Sequence, residues 1–228
     1  MPTGLAAQSG RSRRVHGCLV LFAGGEAGGR TASCGAHVRC NRRGVASLHR
    51  LPAFSKDGFV HVVVESPRGA SAKLKYEPEL GAITFGRPLP HGLAFPFDFG
   101  FVPSTRAEDG DPLDAMILCD AGTYPGIVVV CRPIAVVEAS QAAVRDERRA
   151  SAKRVRNDRV ICVARDDRRS EQITDVKELP ARMRDEIAAF FLSAVAFEGK
   201  DVEVLGWGDA RAARRAIDRA LTKARRPG

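Results

Sequence analysis

The chain has 228 residues, 36 of them Lys or Arg and 27 Asp or Glu, so its formal net charge is +9. Residues 1–56 carry nine basic side chains and one acidic one, whereas residues 57–228 carry 27 basic and 26 acidic groups. The body of the chain is therefore nearly neutral, which excludes a uniformly basic nucleic-acid-binding surface as the first interpretation.

The first predicted unit is a basic N-terminal extension, residues 1–56, which is rich in Gly, Ala, Ser and Arg. It shows no amphipathic period, and we expect it to be disordered. Its Arg-rich, acid-poor composition is also typical of a transit peptide. The spacing of Cys34, His37 and Cys40 matches no common zinc site. Residues 57–228 suffice for one compact domain.

The six cysteines include no CxxC pair, and Cys119, Cys131 and Cys162 lie within apolar runs. A free cysteine in such a run behaves as a small hydrophobic side chain, so a reducing cytoplasm fits better than a secreted disulfide scaffold. No stretch reaches the roughly 18 apolar residues of a membrane-spanning helix, and we expect no membrane association.

Strand patterns come before helix patterns in residues 57–228. Seven segments rich in apolar and β-branched residues are predicted to be strands. They are residues 61–65, 74–77, 82–85, 113–118, 127–137, 160–164 and 202–205. Helices are predicted at 181–196 and 210–225, where apolar residues recur every three or four positions. Strands and helices do not alternate, which predicts an α+β fold with a mostly antiparallel sheet or a small barrel.

Four acidic residues lie within the seven positions 108–114. Asp109 and Asp111 are two positions apart, so on an extended chain they share a face about 6–7 Å apart. The intervening glycine and the following proline turn the chain so that Asp114 joins them. Clustered carboxylates repel one another unless cations compensate, and hard oxygen ligands select Mg²⁺, Mn²⁺ or Ca²⁺. A solvated acidic turn explains this segment alone equally well.

Four further charged residues precede the acidic segment, namely Glu65, Lys75, Glu77 and Arg87. Lys75 and Glu77 share one face of a predicted strand. Cations that face a carboxylate–metal cluster suit a multiply charged phosphate, because metals neutralise the anion while Lys and Arg hold it. Any one of these residues alone is better explained as part of a surface salt bridge.

Several segments, in the same order along roughly residues 58–226, resemble the soluble, family I inorganic pyrophosphatases. Residues 109–114 match the D-x-D-P-x-D signature of that family. The other matching segments are 63–67, 74–77, 81–82 with Arg87, 95–102, 125–126, 131–134, 190–191 and 204–207. The resemblance implies an OB-like, five-stranded, mostly antiparallel β-barrel flanked by C-terminal helices. It also implies Mg²⁺-dependent hydrolysis of inorganic pyrophosphate in the cytoplasm, commonly by a homohexamer in bacteria.

The resemblance also implies roles for individual residues. Asp109 and Asp114 would bind the Mg²⁺ ions that hold the attacking water. Asp111 would also belong to the metal-binding set and act as the general base. In such two-metal hydrolysis, ions about 3.5–4 Å apart lower the pKa of the water and hold the attacking oxygen.

Substrate contacts are implied in the same way. Lys75 and Arg87 would hold phosphate oxygens, whereas Glu65 and Glu77 would line the site and support the water shells of the metals.

The second half of the site departs from the family. Gln141 and Asn157 stand where the family has aspartates, and Arg159 stands where it has a lysine. Each change from Asp to an amide removes a formal charge, which weakens binding of a hard metal. Asp146 or Asp158 are candidate replacements, although Asp158 is expected to face away from Asn157 and Arg159.

Hydrogen-bond donors for phosphate are also lost. Phe99, Ala194 and Val195 replace a family Tyr and a Tyr-Lys pair, and none of their side chains donates a hydrogen bond. An arginine-rich insert occupies residues 145–156, where guanidinium groups are alternative phosphate ligands.

Three hypotheses follow from these patterns. The first is a working pyrophosphatase with a rebuilt second metal subsite. The second is a catalytically impaired paralogue that binds a metal–phosphate ligand or a protein partner. The third is nucleic-acid binding through the basic segments 145–169 and 211–226. The chain has only one Trp and two Tyr, so it lacks the aromatic residues of single-strand platforms, and we do not expect nucleic-acid binding.

Overall fold

The structure is a computed structural model that describes residues 47–142, 154–199 and 201–225. These ranges form nine strands and two α-helices. The strands are β1 (Val60–Ser66), β2 (Ala72–Glu77), β3 (Ala82–Pro88), β4 (Asp98–Val102), β5 (Leu113–Leu118), β6 (Val128–Ala142), β7 (Arg154–Arg156), β8 (Arg159–Ala164) and β9 (Val202–Gly208), and the helices are α1 (Ala181–Ser193) and α2 (Ala210–Arg225).

Five strands of the large sheet close into a ring. β1 pairs with β4, β4 with β5, β5 with β8, β8 with β6, and β6 with β1 again. Of these five pairings the β5–β8 pairing is parallel and the other four are antiparallel. A closed ring leaves no unpaired edge, and this confirms the predicted small, mostly antiparallel barrel. β7 and β9 extend β6, while β2 and β3 form a separate hairpin.

The predicted elements are all present, with small shifts at their ends. α2 has the predicted bounds. α1 ends at Ser193 rather than at residue 196, and the chain continues in turns from Ala194 onwards. β4 and β7 were not predicted. In β4 the alternation of Phe99 and Phe101 around Gly100 was the available signal. β7 has three residues and forms because β6 continues far enough to pair with it.

Two apolar clusters connect the barrel to the helices. Ala213, Ile217 and other residues on one face of α2 pack on one side of the barrel. Ile187, Phe190 and Phe191 of α1 pack against the other side. Each fully buried Ile or Phe stabilises the fold by roughly 1.5–3 kcal/mol. Neither described helix is both long and apolar enough to cross a membrane.

Residues 47–56 belong to the packed part of the chain. Leu48 and Leu51 contact the cluster that contains Tyr76, and Phe54 forms a β-bridge with Val60. The packed part therefore begins before the domain boundary predicted at residue 57. Residues 1–46 of the predicted extension lie outside the described residues, as do Arg145, Asp146, Arg148 and Arg149 of the insert.

Candidate active site

The loop between β4 and β5 presents the acidic residues. Ala107 N donates to the Asp111 carbonyl at 2.7 Å, and Gly110 N donates to the Ala107 carbonyl at 3.3 Å. Gly110 has a φ of 98°, which a residue with a side chain rarely adopts. Asp111 N donates to Asp109 Oδ1 at 3.3 Å. This tight turn places Asp109 and Asp111 next to each other, with Asp114 at the start of β5.

Lys75 of β2 reaches the acidic loop. Its Nζ lies 3.2 and 3.4 Å from the two carboxylate oxygens of Asp111. Burial lowers the pKa of Lys75, but the hydrogen bond and charge of Asp111, together with Glu65 and Glu77, outweigh burial and raise that pKa. The residue predicted as a phosphate ligand therefore contacts the residue predicted as the general base.

Glu65 is a buried carboxyl whose charge affects the pKa of Lys75. Its side chain is 6% exposed, and its Oε1 accepts a hydrogen bond from Tyr76 N at 2.7 Å. Burial raises the pKa of Glu65 to about 7, and the nearby charge of Asp114 adds to this shift. The hydrogen bond from Tyr76 and the charges of Lys73 and Lys75 oppose it. Glu65 is therefore about half protonated near neutral pH in the metal-free protein.

The raised pKa of Glu65 predicts a pH-dependent stability. Because the pKa in the folded state, about 7, exceeds the ordinary value of 4.5, ionisation costs more in the folded protein. The free energy of unfolding should fall by on the order of 3 kcal/mol between about pH 4.5 and 7, then level off. Melting curves in a metal chelator should show this fall in the wild-type protein and a smaller one in Glu65→Gln.

The exposed Glu79→Gln variant is the matched control and should follow the wild-type curve. Parallel curves for wild-type protein and Glu65→Gln from pH 4.5 to 8 would contradict the assignment.

Arg159 is a buried cation beside Asp109 and Asp114, which are called the acidic group below. It pairs with Asp114 in the β5–β8 register and is 6% exposed. Its Nη1 donates to the Asn157 carbonyl at 2.8 Å, and its Cζ lies 4.9 Å from the ring centroid of Phe191. Burial lowers the pKa of Arg159, whereas the charges of Asp114 and Asp109 raise it. The guanidinium therefore offsets part of the negative charge of these two carboxylates.

Asp109 and Asp114 lie near enough to influence each other. Burial raises the pKa of Asp109, and the charges of Asp114 and Asp111 raise it further. No three His, Cys, Asp or Glu side chains in the described ranges converge as a metal ion requires. The donor set nevertheless fits a hard divalent cation, because it consists of carboxylate oxygens whose mutual repulsion a cation relieves.

Gln141 and Asn157, the other two residues predicted to replace family carboxylates, lie in different parts of the sheet. Gln141 is buried on β6 opposite Val155 and Val202. Asn157 is buried between β7 and β8, and its backbone N donates to the Ala139 carbonyl at 2.9 Å.

Asp158 faces a different direction from these residues. It pairs with Arg156 at 3.0 Å and with Arg219 of α2 at 3.7 Å. It therefore points to α2, as the alternation of an extended chain predicts.

A cavity of about 40 Å³, called the aromatic chamber below, opens beside Asp114. Its polar lining comprises Lys73, Arg87, Arg159 and Asp114. Its apolar lining comprises Leu89, Phe95, Phe99, Phe190, Phe191, Ala194 and Val195. Sequence reasoning missed Lys73, although its position two residues before Lys75 was an available signal.

Fold and site together define a class of protein. A small barrel holds carboxylate oxygens at one mouth, and a hairpin supplies cations facing them, which is the donor chemistry of metal-dependent phosphate hydrolysis.

Comparisons with known proteins give the family. A family model described as inorganic pyrophosphatase matches residues 62–225. The inorganic pyrophosphatase of Thermus thermophilus is 40% identical over 173 residues, which cover 74% of this chain and 93% of that protein. The inorganic pyrophosphatase of Synechocystis is 36% identical over 165 residues, covering 72% of this chain and 91% of that protein. A crystal structure of inorganic pyrophosphatase from Thermus thermophilus matches with a TM-score of 0.71 and 35% identity, covering 79% of this chain and 100% of that chain.

The chain therefore belongs to the inorganic pyrophosphatase family, a metal-dependent family, and the predicted resemblance is confirmed.

Proposed function

We propose that the chain hydrolyses inorganic pyrophosphate to two phosphates with Mg²⁺. The observation that carries this proposal is the 109–114 turn, whose Asp111 carboxylate contacts Lys75 in a chain of this family. Water is the attacking group, and the bond between the bridging oxygen and one phosphorus breaks. Because the substrate is a small, multiply charged anion, most of the catalysis comes from positioning the reacting groups and neutralising the charge of the phosphates.

Asp109 and Asp114 are the proposed metal ligands. Bound Mg²⁺ would make a ligated water more acidic and would neutralise phosphate oxygens. Hard carboxylate oxygens in this number favour Mg²⁺ over softer metals. Glu65 and Glu77 lie close enough to Lys75 to raise its pKa. Their proposed role is to hydrogen-bond waters around the metals.

Asp111 is the proposed general base. Its carboxylate takes the proton of the attacking water, which is also why we place it beside the metals. Lys75 fixes the orientation of this carboxylate at 3.2 Å and contributes a positive charge beside the incoming anion.

Arg87 and Arg159 are proposed to attract phosphate oxygens. Arg87 Nε lies 3.1 Å from Glu198 Oε2, so a phosphate oxygen would exchange with this carboxylate. Arg159 supplies charge from beneath the acidic group. Gln141 and Asn157 retain oxygen atoms but no charge, and we propose that they do not hold a metal on their own.

We further infer a cytoplasmic homo-oligomer. Cys131 and Cys162 are free, buried thiols, which suits a reducing compartment. Large apolar side chains such as Phe197, Tyr124 and Phe85, which are 86%, 73% and 67% exposed, suit contact with further copies of the chain. A hexamer is the assembly that the family resemblance implies, and the molar mass from light scattering is its test.

A phosphate-release assay tests the proposed reaction. The full chain with pyrophosphate should release phosphate in the presence of Mg²⁺, and chelation of the metal should stop the release. The assay is repeated with Mn²⁺. Release no faster than buffer with both metals would reject hydrolysis. In that case, a melting temperature raised by pyrophosphate plus metal would identify a ligand-binding, catalytically impaired paralogue, because only ligands of the native state stabilise it.

A further inference from the structure

The three cations of the aromatic chamber differ in their partners, and Arg87 is the most constrained of them. Its Nη2 donates to the Ala194 carbonyl at 2.9 Å, and its Nε lies 3.1 Å from Glu198 Oε2. Its Nη1 donates to the Pro88 carbonyl at 3.3 Å. All three nitrogens therefore already have oxygen partners.

Arg159 is also engaged. It donates to the Asn157 carbonyl, stacks on Phe191, and lies in the field of Asp109 and Asp114. Its charge is therefore shared with two carboxylates before any substrate arrives.

Lys73 is different. It is half-buried, and across the described part of the chain its Nζ forms no ion pair and no hydrogen bond with the protein. The Nζ lies 6.0 Å from the ring centroid of Phe99, so it points into the chamber. Its positive charge lowers the pKa of the buried Glu65, against the effect of burial.

A β-bulge aims Lys73 at this position. Lys73 pairs with Arg87, but the next residue of β2, Leu74, pairs with Phe85, so Gly86 is an extra residue in β3. A Cβ on Gly86 would lie 2.8 Å from the Lys73 carbonyl oxygen, so glycine lets the two strands approach here. Bulges commonly re-aim side chains beside active sites.

We propose that Lys73 binds a phosphoryl group of the substrate in the aromatic chamber. This inference deepens the proposed pyrophosphate hydrolysis and rests on it. Lys73 supplies the donor that Phe99, Ala194 and Val195 do not. The chamber volume of about 40 Å³ exceeds the roughly 10–15 Å³ that one water needs, so it accommodates a group of a few heavy atoms. The aromatic walls make the chamber less polar than water, which strengthens the attraction between the ammonium and a phosphate oxygen.

Kinetics of the full chain test this role. Lys73→Met should raise the KM for pyrophosphate about 10- to 100-fold, the effect of one lost charge-assisted hydrogen bond, with a smaller change in kcat. The inhibition constant for inorganic phosphate should rise in parallel. Lys73→Arg, which keeps the charge, should restore most of the affinity. Lys56→Met, which removes an exposed lysine elsewhere, should leave all three constants unchanged.

The outcomes separate this inference from the proposed function. An inactive wild-type protein would reject the proposed function itself. An active wild-type protein with unchanged KM in Lys73→Met would overturn the role of Lys73, as would an equal rise in Lys56→Met. Melting curves verify that each variant is folded, and Lys73→Gln provides a second uncharged variant if Lys73→Met does not fold.

Discussion

Replacing Asp111 with Asn is expected to slow pyrophosphate hydrolysis by about 100- to 10,000-fold, the usual contribution of a positioned general base. The amide keeps the shape and one oxygen that can accept from Lys75, but it cannot take a proton from water. The side chains of Lys75 and Asp111, which form a salt bridge, are 49% and 63% exposed. Loss of this salt bridge should therefore change the free energy of unfolding by less than about 1 kcal/mol. Phosphate release at saturating substrate, measured beside the melting temperature, checks both expectations.

The matched control for Asp111→Asn is Asp185→Asn. Asp185 is an exposed carboxylate of α1, so the same chemical change falls outside the candidate site. Its rate should equal that of the wild-type protein. An Asp111→Asn protein that retains more than about a tenth of the wild-type rate would reject Asp111 as the base.

Replacing Gly100 with Ala should have the largest effect on stability. An ideal Cβ on Gly100 would lie 1.8 Å from the Val63 carbonyl oxygen and 3.0 Å from Glu65 N. Both contacts are with the backbone of β1, which pairs with β4 in the barrel and cannot rotate away. We expect the free energy of unfolding to fall by more than about 4 kcal/mol, which is enough to leave much of the protein unfolded. Urea unfolding followed by circular dichroism measures it.

Gly122→Ala is the matched control for the barrel substitution. No atom of the described residues lies within 4 Å of a Cβ built on Gly122, and the φ of Gly122 is not in the left-handed region. The free energy of unfolding of this variant, obtained from its unfolding midpoint, should lie within about 0.5 kcal/mol of the wild-type value. Equal midpoints for the two alanine variants would show that β1 and β4 are not held as closely as the structure indicates.

Relative to the family resemblance, the altered residues remove charges of both signs, because Val195 replaces a lysine while Gln141 and Asn157 replace aspartates. Gln141 and Asn157 each carry no charge where the family resemblance implies a carboxylate. Arg159 is a buried guanidinium that faces Asp109 and Asp114. Fewer carboxylates weaken the hold on a hard metal, whereas the cations strengthen the attraction of a phosphate anion. The dependence of the rate on Mg²⁺ concentration is therefore as informative as the rate itself.

Local patterns in the sequence were sufficient for much of the fold. The helix predicted at 210–225 has the same bounds in the structure, because Ala213, Ile217 and Ala220 recur at helical spacing and are buried together. The acidic 109–114 turn was likewise recognisable, since its glycine, proline and carboxylates are adjacent along the chain. In contrast, β7 was missed because three residues carry too little periodicity to identify a strand.

The sequence by itself determined the family, the strand and helix pattern, and the identity of the acidic turn. Only the tertiary structure decided that Lys75 contacts Asp111, that Arg159 lies buried beside Asp114, and that Lys73 points into the aromatic chamber. The reason is physical. Secondary structure follows from the spacing of neighbouring residues, whereas these contacts depend on strand register, on the extra residue Gly86 in β3, and on packing between segments far apart in the chain.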